Sequence, residues 1–427
     1  VTTGIQYAGE VKFTKLNLIT YGESKGVDIT NMVYQMEIYE DIYSSTMSGS
    51  VVIIDTRNMV NTFPIIGEEV LELEFETPTL GKKFKKFFYV YKLTNRNIQG
   101  DKKTGYQLHF ISIEMLSDMN KRLTRSFSGF THDIVKNIYE NELKDESDNK
   151  SLIFSESSNK IKYVSNFWNP LKNIAYATKK SMSKKTYQQS DFLFYESKDA
   201  FNFVSLSELM ERSPVFDYWY DRHGLRKKES TGSVRDIERE YHTAFDLDFG
   251  NAFDYMDRHM KGTFSHKVIE HDLLSKTVSS KVHNYWYDWD KSAHLSKRPI
   301  VSKFIYFNDE DCVIDNYTKV NGLHEGSQDR GGEIMTKRSS LLSHTELYKI
   351  RISVPGRTDI QVGDTVNFKM GVYKPIQETK NEDPYFSGKY LIASIQHQLT
   401  PVQHQMVLEL VKDGIEADAY EFNKGIG

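Results

Sequence analysis

The stretch Glu346-Leu347-Tyr348-Lys349-Ile350-Arg351-Ile352-Ser353-Val354 decides how the chain is read. Tyr348, Ile350, Ile352 and Val354 fall on one side and Leu347, Lys349, Arg351 and Ser353 on the other, the period of two that marks a half-buried strand. Pro355-Gly356 breaks it. Val362-Gly363-Asp364 then opens a run in which Val366, Phe368 and Met370 alternate with Thr365, Asn367 and Lys369. After a longer loop through Pro375 and Pro384, Gly388 to Ile395 restarts a strand. Past the Thr400-Pro401 corner, His404, Met406, Leu408 and Leu410 oppose Gln403, Gln405, Val407 and Glu409. Glu346 to Lys412 is therefore predicted as a run of barrel strands, and nothing in it points to catalysis.

The rest of the chain is large enough to give that sheet company. Its 427 residues allow several domains at roughly 150 residues each. With 39% hydrophobic residues, 25 Phe and 26 Tyr, it can fill more than one core, which excludes a disordered protein. The single cysteine, Cys312, excludes an internal disulfide framework and a cysteine-rich metal site, and suits assembly in a reducing cytoplasm. Val1 to Gly9 lacks the basic and apolar regions of a signal peptide, and no apolar run approaches membrane-spanning length, so no membrane insertion is expected. A formal net charge of -4 gives no general drive toward nucleic acid.

Strand patterning recurs near the N-terminus. Val11 to Thr20, Val33 to Ile42 and Met47 to Ile54 alternate, and Ile65-Ile66-Gly67-Glu68-Glu69 is a glycine-acid entry like Val362-Gly363-Asp364. In the strand that follows, Leu71, Leu73 and Phe75 share one face, while Glu68, Glu72, Glu74 and Glu76 lie with Val70 on the other. That acidic face is either solvated and balanced by neighbours such as Lys86 and Lys92, or it lines a lumen. As a wall around a channel it would let DNA pass without sticking, since like charge repels phosphate. Phe84 to Leu93 and Tyr106 to Ile113 complete a first β-barrel domain, residues 1–117.

Helical periodicity then takes over. Thr131 can cap a helix carrying Ile134, Val135, Ile138 and Leu143, and Asn169-Pro170 is a cap with proline at the first helical position. Lys144 to Lys160 reads as a polar surface excursion, and Phe192–Glu196 with Phe201–Ser205 as a hairpin. This gives a small α+β domain at 118–212, followed by a charged irregular connection at 213–262. A second β-barrel domain spans 263–413, with an insertion at about 285–340, and 414–427 is a tail. The overall class is mainly β with α+β: two similar β-barrel tube domains flanking a small α+β domain, with loop insertions. Trp286 and Trp289 in the insertion can stack a sugar or base, or anchor an interface; the interface reading is preferred.

Catalytic and cofactor signatures are missing. His266 and His271 are an odd number apart in a strand, and there is no HExxH or clustered Cys/His set, so no metal is assigned. There is no GxGxxG, no GxxxxGK[ST] and no GxSxG, so neither a cofactor nor a nucleophile is assigned. Pairs such as Asp309/Asp311 arise by chance among 59 acidic residues.

Three stretches together resemble the contractile-tail baseplate hub family, which includes the trimeric hub subunit of contractile-tailed phages, late control protein D and the N-terminal part of VgrG. They are Met47 to Asp55 with Gly67 to Phe75; Trp168 to Ala177 with Phe192 to Phe203; and Gln361 to Met370 with Gly388 to Lys412. The resemblance implies a non-enzymatic homotrimer whose two tube domains per chain alternate around a pseudo-sixfold ring. Its implied partners are the tail tube protein above, a separate central spike protein below, other baseplate proteins, and double-stranded DNA passing through the lumen. The spike is taken as separate because the chain ends at Gly427 without a needle repeat. The implied location is the tail baseplate of a virion, assembled in the host cytoplasm. The other readings of the sequence are a carbohydrate-binding or carbohydrate-degrading β-protein and the hub of a non-viral contractile injection system. The duplication has a partial signature, Ile66-Gly67-Glu68-Glu69-Val70 against Val362-Gly363-Asp364-Thr365-Val366, which fails beyond Val70 because Glu72 then faces Phe368.

Overall fold

The computed structural model describes residues 7–20, 26–56, 59, 65–78, 80–99, 103–144, 150–185, 189–220, 237–250, 254–272, 276–300, 316–322, 331–371, 382–383 and 385–416. Gly100 to Lys102 of the turn expected at Ile98 to Gly105, the charged run from Asp221 to Asp236, the Asp309/Asp311 pair, Cys312 and the C-terminal tail from Ala417 onward lie outside the described residues.

The first unit runs β1 (Lys12–Ile19), β2 (Val33–Asp41), β3 (Ser48–Asp55), β4 (Val70–Glu76), β5 (Lys83–Gln99) and β6 (Lys103–Ser112). Hydrogen bonds order these strands β2-β3-β6-β5-β4-β1, every pair antiparallel. Alternation drives the packing: Met36, Ile38, Val51, Ile53, Leu71, Leu73, Phe88, Leu108 and Phe110 point to one side and form one core.

The middle of the chain is α+β: α1 (Ile113–Asn120), α2 (Thr131–Ile138), β7 (Ser151–Phe154), α3 (Pro170–Lys180), β8 (Phe192–Glu196) and β9 (Ala200–Ser205). The β8/β9 hairpin forms as expected, with Phe194 opposite Phe203. Within the stretch expected to be a polar excursion, β7 is a strand that joins β9 in parallel. Four residues are too few to show a period. Pro170 opens α3 behind Asn169, but the capping acceptor comes from elsewhere: Asp118 on α1 accepts from the Leu171 N–H and from Asn169 Nδ2, both at 2.6 Å. Thr131 is the first residue of α2 rather than its cap, and its hydroxyl oxygen accepts from Ser181 at 2.8 Å.

The second unit is split along the chain. Its strands are β10 (Phe216–Tyr220) and β11 (Asp246–Phe249), then β15 (Tyr348–Pro355), β16 (Thr365–Met370), β17 (Gly388–Leu399) and β18 (His404–Lys412). Between them β12 (Ser265–Asp272), β13 (Thr277–Asn284) and β14 (Asn316–Gly322) make a separate small sheet, followed by α4 (Gly331–His344). The expected irregular connection at 213–262 thus supplies two strands of the main sheet, while the strands expected to open the second barrel near Gly262 to His283 belong to another sheet. Phe216 to Tyr220 is nearly all aromatic and Asp246 to Phe249 is four residues long, so neither shows a clean alternation.

The two units repeat strand for strand. In the first, Val90 faces Phe110 and Lys92 faces His109, which leaves Tyr91 as an extra residue in β5. In the second, Ile392 faces Leu410 and Ser394 faces Glu409, which leaves Ala393 as the extra residue in β17. Moving outward, Phe110 lies opposite Gly49 and Leu410 opposite Ile350; Gly49 then lies opposite Ile38 and Ile350 opposite Phe249. On the other side, the Val90 N–H donates to Glu69 O at 2.8 Å and the Ile392 N–H to Asp364 O at 2.9 Å, starting β4 and β16 in the same way. This puts Leu71 with Val366 and Leu73 with Phe368. The alignment read from sequence paired Val70 with Val366 and is one residue out, because the first turn uses one more residue between its glycine and the acid. Gly67 and Gly363, at φ 93° and 82°, are the two left-handed turn positions. The units differ at one edge: β1 runs antiparallel to β4, whereas β10 runs parallel to β16.

Among the described strands, one pairing joins the units. Met36 to Asp41 of β2 lie opposite Leu399 to Ser394 of β17, giving one continuous 13-stranded sheet.

Candidate assembly surface

Glu72, Glu74 and Glu76 lie on the side of β4 opposite Leu71, Leu73 and Phe75, away from the core. Glu72 is held by Lys15 Nζ at 3.1 Å and Asn17 Nδ2 at 3.0 Å. Burial alone would raise its pKa, but those hydrogen bonds and the charges of Lys15 and Lys85 leave it below the ordinary carboxylate value. Glu74 bonds Lys83 at 2.8 Å, and the same ammonium lies 3.8 Å from Glu76. The hydrogen bond that the Lys83 ammonium donates to Glu74 raises the Lys83 pKa. Glu68 is exposed beside the turn. Hence the acidic row is balanced by lysines from the flanking strands. The balancing residues are Lys15 and Lys83, and Lys86 points to the opposite face of β5. Sequence reasoning also missed Glu69, whose fully buried carboxylate turns back to accept the N–H groups of Ile66 and Gly67.

Across the junction the same face is polar and cross-linked. Tyr39 donates to Glu37 at 2.5 Å, and Gln396 of β17 reaches the Tyr39 hydroxyl at 3.5 Å. Burial, then the Glu37 carboxylate, pushes the Tyr39 hydroxyl up to about 12. Glu409 of β18 receives both Lys349 and Arg351 of β15. Trp286 and Trp289 part company. Trp286 is partly exposed, whereas Trp289 is buried with its ring stacked on His294 at a centroid distance of 3.4 Å, so it is spent inside its own chain.

Two buried polar clusters hold the units in place, and neither was legible from sequence. In the first, Glu196 of β8 takes Lys86 of β5 at 3.0 Å and Lys150 at 2.9 Å, and accepts from the Met47 N–H and the Ser112 hydroxyl; Lys150 also bonds Glu114 at 2.9 Å. Burial would raise the Glu196 pKa, but the two ammonium groups and the hydrogen bonds bring it to about 2. In the second, at the junction, His397 Nδ1 is 3.0 Å from His404 Nε2 while its Nε2 is 3.1 Å from Glu40. Burial and the neighbouring His397 hold His404 well below the usual histidine value. Glu196 lies far in sequence from Lys86, and Glu40 far from His397 and His404, so no motif announces either cluster.

Chemically this surface offers main-chain edges and paired charges. Among the described residues no group of three or more His, Cys, Asp or Glu side chains is placed to hold a metal ion, and no helix is long and apolar enough to cross a membrane.

No family model matches the chain, and no curated protein matches it. Solved structures do. A tail protein from Neisseria meningitidis MC58 aligns over 94% of this chain and 97% of its own, with a TM-score of 0.54 and 11% identity. The 43 kDa tail protein of prophage MuSo2 from Shewanella oneidensis aligns over 96% and 99%, with a TM-score of 0.53 and 10% identity. The chain has a phage tail-protein fold. An E. coli type VI secretion component described as similar to T4 tail proteins also aligns, at 8% identity and a TM-score of 0.45. The tail-protein fold is shared over nearly the full length of the first two chains, and it is mostly β, as expected.

Proposed function

We propose that the chain is a structural, non-enzymatic baseplate hub subunit of a contractile phage tail. In this reading it assembles as a homotrimer whose two β units per chain alternate around a pseudo-sixfold ring. The observation that supports it most strongly is the repeat itself, with matching registers, matching bulges at Tyr91 and Ala393, and a strand-to-strand junction between the units. Such a chain can present six near-equivalent faces to a hexameric tail tube while keeping threefold symmetry toward a separate spike protein. Other baseplate proteins surround it, double-stranded DNA crosses the lumen, and the particle is a virion tail assembled in the host cytoplasm. The proposed domain plan is two tube units around the α+β unit of about 118–212. Glu68, Glu72, Glu74 and Glu76 line the channel in this arrangement, each as part of a lysine-balanced wall.

The carbohydrate reading relied on the aromatic surplus and on Trp286 and Trp289; of that pair Trp289 is buried and Trp286 is partly exposed. The hub of a non-viral injection system would share the same geometry. Light scattering and electron microscopy of one chromatographic peak test the proposal. The expected result is three chain masses and a central opening. A monomer that persists when tube and spike proteins are added overturns it.

A further inference from the structure

We propose that the outer face of the ribbon formed by Ser126–Phe130 and Lys160–Val164, with Phe167 beside it, docks an acidic, extended segment of another protein whose residues read acid-x-acid-x-apolar. The surface lies in the α+β unit and does not depend on the ring proposed above.

Charge sets this surface apart. From Ser157 to Ser190 the chain carries seven lysines, Lys160 first and Lys185 last, and no Asp or Glu, although its formal net charge is -4. Among the described residues Lys184 is the one lysine of this run with a carboxylate partner, Glu156 at 2.6 Å. Two others rest on rings instead. Lys160 lies 4.9 Å from the centre of the Phe130 ring and Lys172 5.0 Å from that of Trp168. A partner's carboxylates therefore displace no ion pair at Lys160 or Lys162.

The strand period then sorts the side chains. Ile161 and Tyr163 turn inward to the core that also holds Phe127, so Lys160, Lys162 and Val164 share the outward side, opposite Phe130, Ser128 and Ser126. Val164 is 68% exposed and Phe167, three residues on, 69%. The outward row thus presents two ammonium groups at alternate residues, roughly 7 Å apart, and then apolar surface. An extended segment repeats its side chains at the same spacing, so it meets this row with two carboxylates followed by an apolar side chain.

Phe167 costs stability where it stands. The described non-glycine residues with positive φ are Asn95, Phe167 and Lys276, and Phe167, at 57°, is the aromatic one. The chain is tied on both sides of it, by the Ser165 N–H donating to Arg125 O at 2.9 Å and the Leu123 N–H donating to Trp168 O at 2.8 Å. Its ring stays largely in solvent, so folding gains little from the side chain. A ring held out on strained backbone suits an anchor for a partner. Protein fits this face better than nucleic acid. Phosphates laid along the lysines would be desolvated against Val164 and Phe167, whereas a protein segment brings carboxylates for the lysines and apolar side chains for the rest.

The test selects a random peptide library on the full chain and depletes it on the double variant Lys160→Glu, Lys162→Glu. Enriched peptides should carry acid-x-acid-x-apolar and lose about tenfold in affinity on that variant, the worth of two exposed ion pairs, measured by fluorescence anisotropy. They should also bind Phe167→Asn more weakly, while Phe167→Asn raises the melting temperature because Asn tolerates the left-handed backbone. Weaker binding by a more stable protein separates recognition from folding. The proposal is overturned if no peptide is enriched, if the enriched peptides lack the acids, or if Phe167→Asn melts below the parent. It is overturned equally if a short DNA duplex binds this face more tightly than the peptides. Self-association of the parent that the lysine variant loses, seen by light scattering, overturns it in favour of a second copy.

Discussion

Glu196 is completely buried with two lysines, so removing it takes the carboxylate from Lys86 and leaves Lys150 with Glu114 as its counter-charge. Glu196→Ala should destabilise the fold by about 3–5 kcal/mol, measured by urea denaturation, because the cost of stranding buried charge exceeds the net worth of the pair. The sign with pH follows from its depressed pKa. The contribution is complete above the ordinary value of 4.5 and is lost as pH falls toward about 2. His404 acts at higher pH. Its folded pKa lies well below 6.5, so the neutral ring is favoured and stability falls as pH drops below 6.5. Replacing it with the non-titrating His404→Gln should flatten the stability profile between neutral pH and about 5, by up to about 1.4 kcal/mol per pH unit. His344, held at about 3 by burial, has the same sign and should preserve part of the slope.

At the scale of elements, the turns and caps give the sharpest comparisons. Gly67 and Gly363 both have positive φ, but a Cβ on Gly67 would meet nothing closer than Tyr91 O at 3.7 Å, whereas on Gly363 it would meet the Tyr195 hydroxyl at 2.2 Å. Gly67→Ala should therefore cost about 1–2 kcal/mol from backbone strain alone, and Gly363→Ala clearly more, as two thermal melts would show. Asp118→Ala should lower stability by about 1–2 kcal/mol through loss of the α3 cap. If its melt equals that of the parent, the Leu171 and Asn169 bonds carry no stability.

For the whole molecule, the acidic wall is where charge and assembly meet. The double variant Glu72→Lys, Glu74→Lys should fold, because the pairs with Lys15 and Lys83 are partly solvated and worth about 0–1 kcal/mol each. It should also retain DNA that the parent lets pass, measured as salt-dependent binding of duplex DNA to the assembled particle. Equal, negligible binding by both proteins would take the wall away from the channel.

Sequence by itself determined what local period can determine. The alternations of β4, β15, β16 and β18 and the β8/β9 hairpin are set by residues within a few positions of one another, where side chains on one face must all be apolar to be buried. The glycine-acid turns were visible too, though their alignment was one residue out, since a turn's length is fixed by backbone geometry and not by residue type. Tertiary structure alone decided the rest. Short β10 and β11 become strands only because β16 and β15 offer them an edge, Trp289 is buried in a cluster with Tyr285 and the distant Leu341, and Lys86, Lys150 and Glu196 form a cluster across 110 residues of chain between Lys86 and Glu196. The joining of two similar units through β2 and β17 belongs to the same class. Main-chain pairing is indifferent to side-chain identity, so the feature that best organises the molecule leaves almost no mark on its sequence.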